Sequence, residues 1–132
     1  MSIKQVIVIR KDLRMRRGKE IAQGSHASMK FLSDKLRSSA SPGQNLDKLA
    51  VSLSPAEQAW IFGSFAKVTL QVSSEAELLE VHQRALNAGL TSCLIQDAGV
   101  TEFGGIPTYT CLAIGPDHAE KIDPITGNLS LY

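Results

Sequence analysis

No stretch of the 132 residues approaches the roughly 18 consecutive apolar positions of a membrane span, which excludes a helical membrane protein. Only two cysteines are present, Cys93 and Cys111, without CxxC spacing and in apolar surroundings; they read as two reduced, buried thiols that imply neither a disulfide nor a metal site. The short apolar run at the N-terminus is followed at once by charges and by no small-residue cleavage site, so it is expected to be a strand and the protein cytoplasmic. No GxxxxGK[ST] phosphate loop occurs, and the glycines of "FGGIP" and "AIGP" read as turn formers. Internal repeats and low-complexity tracts are absent as well. At this length, with 43% hydrophobic and 20% charged residues, one domain over 1–132 with a self-supporting core is expected.

Acidic residues are scarce where basic ones crowd. Residues 1 to 37 hold ten Lys or Arg against three acids, a net of +7; the remaining 95 hold four against ten, a net of −6. The overall charge of +1 conceals this segregation. A basic face of this kind is the electrostatic footprint of a polyanionic partner. Its densest part is "KDLRMRRGK", where Lys11, Arg14, Arg16, Arg17 and Lys19 crowd the start of a predicted helix. That end of a helix already carries about +0.5 of a charge, so an anion is needed to offset the repulsion.

Along the chain, "KQVIVIRKD" reads as a buried strand and residues 18 to 39 as a helix, with Ile21, Met29, Leu32 and Leu36 as its apolar face. Lys19, Gln23, His26 or Ala27, and Lys30 share the opposite face. "SPAEQAWIF" starts with a Ser54 cap and Pro55 in first helical position; "SSEAELLEVHQRALNAG" is a capped amphipathic helix stopping at Gly89. "FAKVTLQV", "TSCLIQD" and "TYTCLAIGP" supply three more strands, and "DHAEKID" a last helical turn. Strands separated by helices indicate an α/β domain with a mixed sheet. Chemistry is then expected at strand ends, of which three stand out: 10–12, Asp97 with the loop after it, and 115–117.

Asp97 reads either as a turn former bonding the backbone two residues on, or as a catalytic carboxylate if it meets Lys19, with the Thr101 hydroxyl as positioning donor. Cys93 lies in phase with Asp97, but core packing is the safer reading for it. His26 reads as a surface or half-buried histidine, and His82 and His118 carry no motif.

Three segments, "VIVIRKDLRM..GK..AQ.SHA" at 6–27, "GLTSCLIQDAG.T" at 89–101 and "T.LAIGP......ID..TG.L.LY" at 110–132, together resemble the archaeal and eukaryotic, type 2, peptidyl-tRNA hydrolases. The resemblance implies a three-layer α/β fold, a mixed four-stranded sheet flanked by helices, usually in a homodimer and working without cofactor or metal. It implies hydrolysis of the ester between peptide and tRNA, with Lys19, Gln23, Asp97 and Thr101 as catalytic residues and Ser25 and His26 in the neighbouring motif. The anion sought above would then be tRNA phosphate, bound by Lys11, Arg14, Arg16, Arg17, His26 and Lys30. Val100 stands where the family commonly has arginine, and "MRRGK" where it commonly has "MGKGK". A catalytically silent RNA-binding module of the same fold is the rival reading, favoured by Val100; a thiol or ester hydrolase using Cys93 is a third.

Overall fold

In a computed structural model, described for residues 2–100 and 102–132, the order of elements is β1 (Ile3–Arg10), α1 (Arg17–Ser39), α2 (Pro55–Phe62), β2 (Lys67–Val72), α3 (Glu75–Asn87), β3 (Ser92–Asp97), β4 (Thr108–His118) and α4 (Ala119–Thr126). The strands form one sheet in the order β2-β1-β4-β3. β1 is parallel to β2 and antiparallel to β4, and β3 is antiparallel to β4. The sheet is therefore mixed, with β1, β2 and β3 pointing the same way.

Both faces of the sheet are covered, and the side-chain alternation of the inner strands shows why. Val6 and Val8 of β1, with Leu112 and Ile114 of β4, join Leu78, Val81 and Ala85 of α3 and Ile122 and Ile125 of α4 in one core. Ile7, Ile9, Cys111 and Ala113 point the other way, to Ala27 of α1, and beside them Cys93 packs with Phe31 of α1 and Trp60 of α2. A period of two with apolar residues in both phases requires a layer on each side. Three layers, α/β/α, follow.

Local signals set the elements. Ser54 accepts from the Glu57 N–H while Glu57 Oε1 accepts from the Ser54 N–H, a reciprocal cap that starts α2 ahead of Pro55. Ser74 caps α3 by accepting from the Glu77 N–H, while Glu77 accepts from the Ser73 N–H, and Gly89, at φ +76°, carries the chain out of that helix. Two expectations are corrected. The inward face of α1 is Gln23, Ala27 and Phe31, while Ile21 and Met29 are 64% and 56% exposed. Helical spacing places a set of residues on one face but does not say which face meets the sheet. β4 also runs through Asp117 and His118, delaying the last helix to Ala119, because β1 continues to pair there: Lys4 with Asp117, Ile3 with His118.

Candidate active site

β1 and β3 point the same way, so their carboxyl ends, at Arg10 and Asp97, lie on one edge of the sheet. The start of β4 lies there too. Its far end, 115–117, is at the opposite edge, because β4 runs antiparallel; that expected site does not belong with the others. The first turns of α1 cross the edge and deliver two side chains to it.

Lys19 Nζ lies 2.8 Å from Asp97 Oδ1, with both side chains only about 15% exposed. Gln23, one turn further along α1, donates from Nε2 to the same oxygen at 3.3 Å. Its own Oε1 accepts from the Thr110 hydroxyl at 2.5 Å. Asp97 Oδ2 accepts from the Gly99 N–H at 2.8 Å. Both oxygens of the carboxylate are thereby engaged: one faces the cation and the amide, the other fixes the turn. Asp97 thus forms the turn with one oxygen and meets Lys19 with the other. The hydrogen bond from Lys19 in the first place, aided by the Gly99 and Gln23 donors and outweighing partial burial, holds the Asp97 carboxyl below its ordinary range. It is ionised at neutral pH.

Gln23 is buried, so it acts from behind the pair rather than from the surface. Thr110 and Gly99, which complete the arrangement, were missed in the sequence. Thr110 sits in a strand pattern where a threonine is ordinary, and only the tertiary approach of α1 reveals it. Gly99 has a positional signal, two residues after an aspartate; at φ +83° any Cβ there would lie 2.2 Å from the Ile106 carbonyl oxygen. Gly105 N–H donates to Gly99 O at 2.8 Å, closing the loop that follows Asp97. Thr101 lies outside the described residues. Phe103 from this loop puts its ring centroid 5.8 Å from Lys19 Nζ, within cation–π range.

The basic residues lie on α1 and on the turn that leads into it. Lys11, Arg14, Arg16 and Arg17 are exposed, and Arg16 Nε donates to Glu102 at 2.9 Å. Arg14 takes φ +51° in the turn between β1 and α1, with its N–H bonded to Lys11 O. Arg10 pairs with Asp12 and donates to Tyr109 O, tying the edge of β1 to β4. His26 is exposed; Lys30 forms an ion pair with Asp34 at 3.0 Å. Ser25 donates its hydroxyl to Ile21 O on its own helix.

Both thiols are buried, and burial raises both, Cys111 to about 11. Cys93 packs against Phe31 and Trp60, away from the conditions a nucleophilic thiolate needs. Among the described residues no group of three His, Cys, Asp or Glu side chains is placed to hold a metal ion, and no helix is long and apolar enough to cross a membrane.

A family model described as "Peptidyl-tRNA hydrolase PTH2" matches residues 3–132. The chain is 43% identical over 129 residues to a peptidyl-tRNA hydrolase of Methanopyrus kandleri, covering 97% of each chain. Similar matches are a peptidyl-tRNA hydrolase of Methanothermobacter thermautotrophicus, 39% identical over 98% of this chain and 99% of that one, and one of Haloquadratum walsbyi, 38% identical over 98% and 100%.

Proposed function

The chain belongs to the peptidyl-tRNA hydrolase PTH2 family, and on that premise we propose how it hydrolyses peptidyl-tRNA with the residues at its sheet edge. The observation that carries the reading is the Lys19–Asp97 pair, assembled on two elements 78 residues apart and held from behind by Gln23. An ester is activated more easily than an amide, so a positioned water and a stabiliser for the oxyanion suffice. Water attacks the ester carbonyl carbon, the carbon–ribose oxygen bond breaks, and the departing ribose oxygen finally takes the proton that the water loses. Lys19, a cation at the mouth of the site, is assigned to the negative charge that develops on the carbonyl oxygen. Asp97, with its depressed affinity for protons, is a poor proton acceptor; its role is to orient the water and to hold Lys19 in place. Gln23 and Thr110 are positioning residues that aim the carboxylate. Thr101 is assigned, through the family motif, to hold the ester or the terminal ribose.

Val100 is 84% exposed, and the Lys19–Asp97–Gln23 set is formed without it, which argues against a silent module. The substrate's phosphates are assigned to Lys11, Arg14, Arg16, Arg17, His26 and Lys30, and the working compartment to the cytoplasm, where peptidyl-tRNA is made. We also assign a homodimer. Its support is the exposed apolar set of Ile21, Met29, Phe62, Phe65, Leu131 and Tyr132, part of which lines a groove of about 580 Å³ beside α1 and β2. Sedimentation of the parent and of Ile21→Glu/Met29→Glu tests it: the parent should run as a dimer and the variant as a folded monomer.

Release of a labelled N-blocked amino acid from tRNA tests the mechanism. Lys19→Ala and Asp97→Asn should each lower kcat and kcat/KM together, by ~10²-fold or more, with little change in tRNA binding. Because the two act as a unit, the double variant should be little worse than the poorer single one. Turnover at the parental rate by folded Asp97→Asn protein would reduce Asp97 to a turn former.

A further inference from the structure

Beyond the catalytic pair, α1 continues the same stripe. Lys19, Gln23, His26, Lys30, Ser33 and Arg37 follow one another at spacings of 4, 3, 4, 3 and 4, which keeps them on one side of the helix. The first two are directed at Asp97. The last four, with Asp34, form one wall of a groove of about 380 Å³ whose other wall is residues 94–96 of β3. β3 is an edge strand, so the sheet does not continue past that wall. The strand segment 94–96 also runs directly into Asp97. Groove and catalytic pair therefore share both of their walls, helix and strand.

The chemistry of the groove is that of an anion site. Lys30 and Arg37 contribute two cations and His26 an imidazole, against one carboxylate, Asp34, which Lys30 already engages with one of its three donors. From His26 to Arg37 the helix axis advances ~16 Å. That is about the rise of five stacked nucleotides of one strand. We propose that this groove seats the sugar-phosphate backbone of the tRNA strand leading to the esterified ribose, so that the strand arrives at Lys19 and Asp97 from the Arg37 end of α1. The proposal rests on the hydrolytic reading above and adds a direction of approach to it, together with Ser33 and Arg37 as contacts that the sequence did not single out. The Arg14, Arg16 and Arg17 cluster at the other end of the helix then meets a different part of the RNA.

The test compares parent protein with Arg37→Gln on two substrates: an N-blocked aminoacyl-tRNA, and the same N-blocked aminoacyl ester of adenosine, which has no phosphate. On the tRNA substrate the variant should show a raised KM, an unchanged kcat, and a dependence of log binding on log salt shallower by ~0.7 to 0.9, one phosphate contact's worth. On the adenosine ester it should match the parent. Unchanged KM and salt slope on tRNA would overturn the groove. Equal losses on both substrates would overturn it too, since the groove would then hold the peptide, paired along the open edge of β3, or merely brace the catalytic pair. A parent that cleaves neither substrate refutes the hydrolytic reading, and the groove is then decided by tRNA binding alone, through the same difference in slope.

Discussion

A carboxylate whose two oxygens have separate partners makes pH behaviour specific. Asp97 binds its proton less readily in the folded chain than when unfolded, chiefly because of the Lys19 hydrogen bond. Its contribution to stability is therefore fully present above the ordinary aspartate pKa, ~3.9, and is lost as pH falls through the lower folded value. The acidic limb of kcat/KM should lie below the ordinary carboxylate range for the parent, and Asp97→Asn should lack that limb; a pH–rate profile checks both. Cys111 moves the other way. It is fully buried and raised from 9.0 to about 11, so its contribution is complete below pH 9 and lost as pH rises toward 11. That interval corresponds to about 2–3 kcal/mol. Urea midpoints at pH 8 and pH 10.5 should converge more for Cys111→Ala than for the parent. Gly99 permits no side chain at all: Gly99→Ala should perturb the loop after Asp97 and lower turnover, a loss measurable beside an unchanged tRNA affinity.

Among the elements, the short ones were most legible, because their signals are covalent neighbours. Ser54 and Pro55 announce α2, and the helix starts there as expected, with Glu57 completing the cap. Ser54→Ala should cost ~1 kcal/mol in urea unfolding and leave activity unchanged. Lys35→Met should cost more. Burial would raise Glu57, but the Lys35 ammonium at 2.6 Å and the Ser54 N–H hold its carboxyl below the ordinary range, and without Lys35 a charge that is 4% exposed loses its cation. α1 was legible in extent but not in orientation. Its residues 19, 23, 27 and 31 turn inward although three of the four are polar or small, because Lys19 and Gln23 find Asp97 and Thr110 beneath them. That compensation lies 74 to 87 residues away in sequence, beyond the reach of any local pattern. The strands, β-branched and bounded by turns, were readable; that β4 runs against the other three was not, and with it went the misplaced expectation at 115–117.

At the scale of the molecule, charge segregation remains the feature with the widest consequence for binding. Reversing Arg16 and Arg17 to Glu should weaken tRNA binding and flatten its salt dependence, each lost duplex phosphate contact removing ~0.9 from the slope. An unchanged slope, measured by filter binding across a salt series, would remove this end of the helix from the footprint. Sequence order and spatial order diverge most at β1. It pairs on one side with β2, more than sixty residues later, and on the other with β4, where Ile3 faces His118. A ribosome makes Ile3 well before His118, so until β4 has been made the central strand waits without one of its two neighbours. Helix α1, whose Gln23 needs Thr110, waits as well. Native assembly is consequently a late event in the life of the nascent chain, dominated by distant pairings and correspondingly slow. A chain abandoned before residue 108 has neither β4 to close its sheet nor Thr110 to hold Gln23 against Asp97: the products of stalled translation, in this protein's own case, lack the sheet edge to which we assign the reaction that clears them.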